Sequence, residues 1–243
     1  MNTSYKNNEA PTVAVLDIDM TLINTISCDS KKPDESYFKV YNECRSIRSL
    51  LYTFRIEDED DGSSAFFWGL KRPYLREFLT YVQKNYDYVI VWTAATKDYA
   101  HALMNEILKD IPLKPQLIWS REECNQVLWN GELVYTKPLS KLSHRLGISM
   151  KNAVLIDDQP YSHIANNPKS KILIPQYRPT IKKPITNDTC FLQLIEWMRN
   201  GNRNNDIIFE EEWVSVKPPT RSPCDENRGI VSAYYTSTSA LYA

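Results

Sequence analysis

Apolar residues recur along this chain in two rhythms. Short unbroken runs, "VAVL" at 13–16, "YVIVW" at 88–92 and "AVLI" at 153–156, have the length and β-branched content of strands buried on both faces. Between them the apolar residues step by three and four. Pro73 opens "YLREFLTYVQKNY", which reads as a helix before the strand "DYVIVWT". The same alternation continues as "KDYAHALMNEILKD" then "PQLIWS", "PLSKLSHRLG" then "NAVLIDD", and "YSHIANNP" then "KILIP". A last helix spans about Thr189 to Arg199. Strands alternating with helices predict an α/β fold with a mostly parallel sheet and helices on both faces.

Three stretches break the alternation. In "PDESYFKVYNECRSIRSLLYTF" the residues Tyr37, Val40, Cys44, Ile47, Leu51 and Phe54 follow a helical step, with Asp34 as the cap. "YTFRI" and "SAFFWGL" flank the acidic "EDEDDGSS" and read as a hairpin whose turn is a solvated charge run. "QVLWNGELVY" carries Asn130-Gly131 between two strands, a two-residue hairpin signal. Beyond Asn202 the chain becomes polar and ends in "YYTSTSALYA", a composition that promises no packed core. The expected organisation is one domain over 12–200, an insertion at about 29–69, and a flexible tail over 201–243.

At 243 residues and 42% hydrophobic, the chain has room for one sizeable α/β core. Its 29 basic and 30 acidic residues give a formal charge of −1, which excludes a surface basic throughout and argues against nucleic acid as a direct partner. The five cysteines are scattered, without zinc-site spacing, and read as reduced thiols. No signal peptide and no apolar run near the ~20 residues of a membrane helix is visible. The expectation is a soluble intracellular protein, nuclear or cytoplasmic, with no membrane partner.

Chemistry gathers at the strand ends. Ligands of open parallel sheets bind beyond the carboxyl ends of the strands. There this chain places Asp17 and Asp19 after "VAVL", Thr93 after "VIVW", and Asp157 with Asp158 after "AVLI"; Lys137 follows the hairpin strand "ELVY" by two residues. Singly, each has an ordinary explanation as a turn former or a surface group. Together, acids from two strand ends can hold Mg2+, which prefers a few carboxylates plus water and phosphate oxygens. Lys137, the Thr93 hydroxyl and backbone amides after Asp17 can receive phosphoryl oxygens. A carboxylate can also attack phosphorus, with a neighbouring acid serving the leaving oxygen.

Asp-x-Asp-x-Thr, followed by a strand-end Thr, a Lys and an acidic pair, resembles the haloacid dehalogenase superfamily of phosphotransferases. More narrowly, "LKRPYLREFLTYVQKNYDYVIVWTAATKDYA", "SREECNQVLWNGELVYTKPLSKL" and "VLIDDQPYSHIANNP" resemble the FCP-like group, the NLI-interacting-factor phosphatases of the RNA polymerase II carboxy-terminal domain. The likeness covers about residues 12–175. It implies a haloacid-dehalogenase-like fold and a Mg2+-dependent phosphoserine/phosphothreonine phosphatase acting through an aspartyl-phosphate. By the same likeness Asp17 is the nucleophile, Asp19 the acid/base, and Thr93 and Lys137 hold the phosphoryl group. Asp158, with Asp17 and the carbonyl of Asp19, would hold Mg2+, and Asp157 would orient Lys137 or a metal-bound water. Arg121, in "SREEC", falls where the family often has an arginine near the phosphate.

Met20 stands where the family commonly has Glu, and Asp158 where it often has Asn. "QYRPTIKKPITND" replaces the usual Trp and acidic stretch, and the insertion is longer. These differences bear on substrate more than on chemistry. The implied partner is a phosphorylated protein or peptide, with the RNA polymerase II carboxy-terminal domain as the family's example. Competing readings are a phosphohydrolase of small esters or nucleic-acid 3′-phosphates, and a catalytically silent binding module of the same fold; the retained acids speak against the last.

Overall fold

Strands as apolar as those at 13–16, 88–92 and 153–156 must be covered on both faces, and the computed structural model of the chain covers them. It describes residues 10–28, 32–57, 64–179, 187–200 and 207–208. The strands are β1 Thr12–Leu16, β2 Ile23–Cys28, β3 Leu51–Glu57, β4 Ser64–Lys71, β5 Tyr88–Trp92, β6 Leu117–Trp119, β7 Asn125–Trp129, β8 Glu132–Thr136, β9 Asn152–Asp157, β10 Lys171–Leu173 and β11 Ile207–Ile208. The α-helices are α1 Glu35–Glu43, α2 Leu75–Asn85, α3 Lys97–Leu108, α4 Leu139–Leu146 and α5 Cys190–Arg199.

Six parallel strands form the main sheet in the order β11-β10-β9-β1-β5-β6, with β1 flanked by β9 and β5. Alternation along a strand sends its side chains to opposite faces. Ala14, Leu16, Val89, Val91, Val154 and Ile156 pack with α2, α3 and α5, whereas Val13, Val15, Ile90, Trp92, Ala153 and Leu155 pack with α4. Ile18 extends the first series into the core just past β1. No helix among the described residues is long and apolar enough to cross a membrane.

A second, antiparallel sheet has the order β2-β4-β3. On one face Phe66 and Trp68 are buried with Cys28 beneath Tyr37 and Val40 of α1. The other face presents Tyr52, Phe54 and Phe67 to Tyr99 of α3. Gly69 makes the sheet possible at one point, since a Cβ there would lie 2.2 Å from the Asn24 carbonyl oxygen and 2.4 Å from the Tyr52 hydroxyl.

Several expectations need correction. Asp34 does cap α1, accepting from Tyr37 N at 2.8 Å, but the helix ends at Glu43; Arg45–Leu50 is a 3-10 segment, and Leu51 and Phe54 belong to β3. A spacing of three puts Leu51 and Phe54 on opposite faces of β3, Leu51 toward α1 and Phe54 toward Tyr99, so in a strand covered on both sides the helical series runs on across the boundary. "YSHIANNP" forms no α-helix, only a 3-10 turn at Pro160–His163, with another at Pro168–Ser170. The strand β2 was not expected at all. The acidic turn at 58–63 lies outside the described residues. So does most of the expected tail, but Ile207–Ile208 pairs with β10 as a further parallel strand. The Asn130-Gly131 hairpin is as expected, both residues having positive φ.

Candidate active site

The sheet register brings the acids together. Leu16 pairs with Ile156, and Asp17 N donates to the Ile156 carbonyl at 3.0 Å, which sets Asp17 beside Asp157. After Ile18 the chain folds tightly: Leu22 N and Ile23 N both return to the Ile18 carbonyl, at 2.8 and 3.2 Å. Met20 takes a left-handed φ of 62°, a conformation costing about 1 kcal/mol for a residue with a Cβ. The fold holds it there, through Met20 N to the Ile23 carbonyl at 2.7 Å and Tyr177 N to the Met20 carbonyl at 2.6 Å. From below, fully buried Arg72 donates to the Thr21 carbonyl at 3.2 Å and to Asp188 at 3.0 Å, its guanidinium against the rings of Tyr177 and Phe191.

Lys137 is the hub. Its Nζ donates to Asp17 Oδ1 at 2.5 Å and to Asp157 Oδ2 at 2.7 Å, with all three side chains buried. Burial alone would strip the ammonium of its proton, but the two carboxylates outweigh it and raise the pKa. Asp158 is held from Thr21, whose hydroxyl donates to Asp158 Oδ1 at 3.0 Å and accepts from Asp158 N at 3.1 Å. Three carboxylates thus face one ammonium. Burial, then repulsion from Asp157, pushes Asp158 up to about 6. Burial likewise raises Asp17 well above the usual carboxylate range, with Lys137 opposing and the other two acids assisting.

Excess negative charge in a buried cluster is what a divalent cation corrects. One oxygen each of Asp17, Asp157 and Asp158 lie within 4.8 Å of one another, which fits a small hard ion. Both oxygens of Asp157 are engaged, Oδ2 by Lys137 and Oδ1 by Gln159 N at 2.8 Å, and so are both of Asp158, Oδ1 by Thr21 and Oδ2 by Gln159 Nε2 at 2.6 Å. The difference is that Asp157 is paired with the Lys137 ammonium, which suits an orienting role, whereas these partners of Asp158 are neutral.

Asp19 differs from the others. Its Oδ1 accepts from the Tyr99 hydroxyl at 2.6 Å and from Thr25 at 3.3 Å, while the buried Oδ2 has no hydrogen-bond partner. Burial raises its pKa against the pull of Tyr99 and Thr25. Thr93, buried beyond β5, donates its N–H to the Trp119 carbonyl at 3.0 Å, and its hydroxyl accepts from Ala95 N at 3.1 Å. The hydroxyl hydrogen is then available to a ligand. Arg121 Nε donates to the Ala94 carbonyl at 2.8 Å and its guanidinium lies over the Tyr135 ring, bracing the loop after Thr93.

Of the residues selected from the sequence, Asp17, Lys137, Asp157 and Asp158 meet directly, and the Lys137 charge also acts on the Asp19 carboxyl; Thr93 and Arg121 are instead bonded to the backbone at Ala94 and Ala95. The sequence reading did not select Thr21, Tyr99, Gln159 or Arg72. Thr21 was legible as the third member of Asp-x-Asp-x-Thr; Tyr99 and Arg72 carry no local signal, because their partners lie 80 and 116 positions away.

Comparison with known proteins bears on the family and the fold. Nuclear envelope morphology protein 1 of Saccharomyces cerevisiae is 29% identical over 172 residues, 67% of this chain and 34% of that protein. CTD small phosphatase-like protein 1 of Caenorhabditis elegans is 30% identical over 149 residues, 61% of this chain and 24% of that protein. The chain thus spans roughly a quarter to a third of the length of these curated relatives. The solved structure of Fcp1, an essential RNA polymerase II CTD phosphatase, superposes with a TM-score of 0.53 at 18% identity, covering 80% of this chain and 51% of that one. That likeness bears out the haloacid-dehalogenase-like fold and its parallel sheet. With a model of the NLI interacting factor-like phosphatases matching residues 12–207, most of its length, the chain belongs to that family.

Proposed function

We propose that this chain is a Mg2+-dependent phosphoserine/phosphothreonine protein phosphatase that works through an aspartyl-phosphate on Asp17. The observation that carries the reading is the Lys137 ammonium, bonded at once to Asp17 and Asp157 beside Asp158, with a second acid, Asp19, keeping one oxygen unpartnered. A phosphoryl group entering this pocket meets Lys137 as a point charge and the Thr93 hydroxyl as a donor. An Asp17 oxygen attacks phosphorus as the ester P–O bond breaks, and Asp19 delivers a proton to the departing alkoxide. Asp19, now ionised, takes a proton from the water that attacks phosphorus next, releasing phosphate and restoring Asp17. Asp17, Asp158 and the carbonyl of Asp19 would hold Mg2+, which when bound screens the acids from the phosphoryl oxygens.

Protein substrates are favoured over small esters by the partly buried aromatic face of Phe67 and Tyr99, next to the catalytic acid. Relatives named as CTD phosphatases point the same way and make phosphorylated heptads of the RNA polymerase II tail the first substrate to try. A panel of phosphopeptides with Mg2+, including heptads phosphorylated at each serine, tests the reading. Turnover of one or more phosphoserine or phosphothreonine peptides well above that of a small ester is the expected result. Preference for a small phosphate ester or for a nucleic-acid 3′-phosphate would overturn it.

A further inference from the structure

Asp19 has two oxygens with opposite fates. Oδ1 is gripped by the hydroxyls of Tyr99 at 2.6 Å and Thr25 at 3.3 Å, while Oδ2 is buried and bare. Buried polar atoms are nearly always partnered, so a bare oxygen on a carboxyl otherwise held by two donors marks the atom kept for a ligand. The grip is itself braced by the antiparallel sheet. The Tyr99 ring meets Phe54 and Phe67 edge-on, each at 5.6 Å between centroids, and those two rings stack at 4.9 Å. Thr25 Oγ1 lies 2.6 Å from the Tyr52 hydroxyl, which also reaches the Asn24 carbonyl at 3.3 Å. Every strand of that sheet takes part: β2 through Thr25, β3 through Tyr52 and Phe54, β4 through Phe67.

We propose that Tyr99 is a positioning residue for Asp19 and that, through Tyr99 and Thr25, the antiparallel sheet aims the free oxygen of the acid at the leaving group. The proposal rests on the phosphatase reading above and deepens it. As an Asp17 oxygen bonds to phosphorus, the electron pair of the breaking P–O bond passes to the ester oxygen, which takes the proton from Asp19 Oδ2. The Asp19 carboxylate left behind keeps the hydrogen bonds of Tyr99 and Thr25 on Oδ1. Without the Tyr99 hydroxyl, the carboxyl is free to turn about its last torsion, and the proton is no longer presented at one place. The antiparallel sheet is then more than a wall beside the pocket, because the same strands that would meet a substrate also set the acid.

Leaving groups separate this role from mere packing. Small phosphate monoesters graded from acidic phenols to alkyl alcohols are compared by the first burst of alcohol release with enzyme in excess, so that only the step using Asp19 as acid is read. Tyr99→Phe keeps the ring against Phe54 and Phe67 and removes only the hydroxyl. It is expected to slow release of the alkyl alcohols by about ten- to a hundredfold while changing release of the most acidic phenols by less than about threefold, since these need no proton. Thr25→Val should show the same tilt more weakly, and it serves as the test variant if Tyr99→Phe does not fold. An equal loss across the series, or no loss with alkyl esters, overturns the positioning role. A wild-type protein inert toward every ester in the series and toward every phosphopeptide of the panel overturns the phosphatase reading itself, and the positioning role with it.

Discussion

Beyond the carboxyl ends of β1 and β9, with Lys137 from the end of β8, the functional side chains are charged and answer one another, whereas on the neighbouring β3 and β4 they are aromatic and answer apolar partners. Lys137 is bonded to both Asp17 and Asp157 in the first region. Phe54, Phe67 and Tyr99 are stacked and edge-packed in the second. Charges buried in a parallel sheet have no water to soften a misplacement, so their positions are fixed by backbone register and by mutual bonds. Aromatic packing tolerates substitution at the cost of fit. On the proposed reading the parallel sheet carries the attack on phosphorus, and the antiparallel one carries substrate choice and the setting of Asp19.

The largest effect should come from the first region. Asp17→Asn keeps the shape of the side chain and removes the attacking carboxylate; at least about a thousandfold loss of turnover is expected in steady-state assays. Lys137→Met comes next, because it leaves Asp17 and Asp157 facing each other without the ammonium. Besides losing activity, it should unfold in denaturant about 3 kcal/mol more easily than wild type near neutral pH. The sign follows from the charges. Unpaired buried carboxylates bind protons more tightly folded than unfolded, so the deficit should shrink as pH falls toward 4.

The second region should respond differently. Phe67→Ala is expected to lower kcat/KM on a phosphopeptide by about tenfold while sparing an aryl phosphate with an acidic phenol, since remote binding energy is absent from the small substrate. Phe66→Ala and Trp68→Ala open cavities under α1 instead. They should lower thermal stability, by about 3 kcal/mol each, with no preference between substrates. Equal kinetic losses at all three positions would dissolve the distinction between the two faces of the sheet.

The smallest effect concerns His163, buried behind the charged cluster with neither ring nitrogen hydrogen-bonded. Burial holds its pKa down at about 4 against an ordinary value near 6.5. A histidine that resists protonation when folded favours the folded state above its unfolded pKa, and this advantage is lost as pH falls from 6.5 toward 4. His163→Phe should therefore flatten the decline in stability between pH 7 and pH 5 by about 2 kcal/mol, read from urea unfolding at each pH.

How much of this was legible in the sequence depended on range. The runs Val13–Leu16 and Val89–Trp92 are continuous because both faces of the sheet are covered, and that made the strands and their terminal acids readable. The strand "INTISC" has a half-exposed middle and polar residues, so it lacked such a run and escaped notice. The end of α1 was hidden because Leu51 and Phe54 kept the helical spacing of the residues before them. At the site, Asp17, Asp19, Lys137 and the Asp157-Asp158 pair stand at strand ends and could be found by position. Tyr99 could not, since nothing near "KDYAH" announces a partner at Asp19; only the packing of α3 against β3 brings them together.

The central claim is that Asp17 carries the phosphoryl group between two steps, and it is tested most directly by looking for that group on the protein. The enzyme is mixed with a phosphopeptide substrate and Mg2+, quenched in acid within the first turnover, digested and sequenced by tandem mass spectrometry. The account predicts the added mass of one phosphoryl group on Asp17, cleaved by hydroxylamine and absent from Asp17→Asn. A phosphoryl group on any other residue, or undiminished turnover by Asp17→Asn, would contradict it.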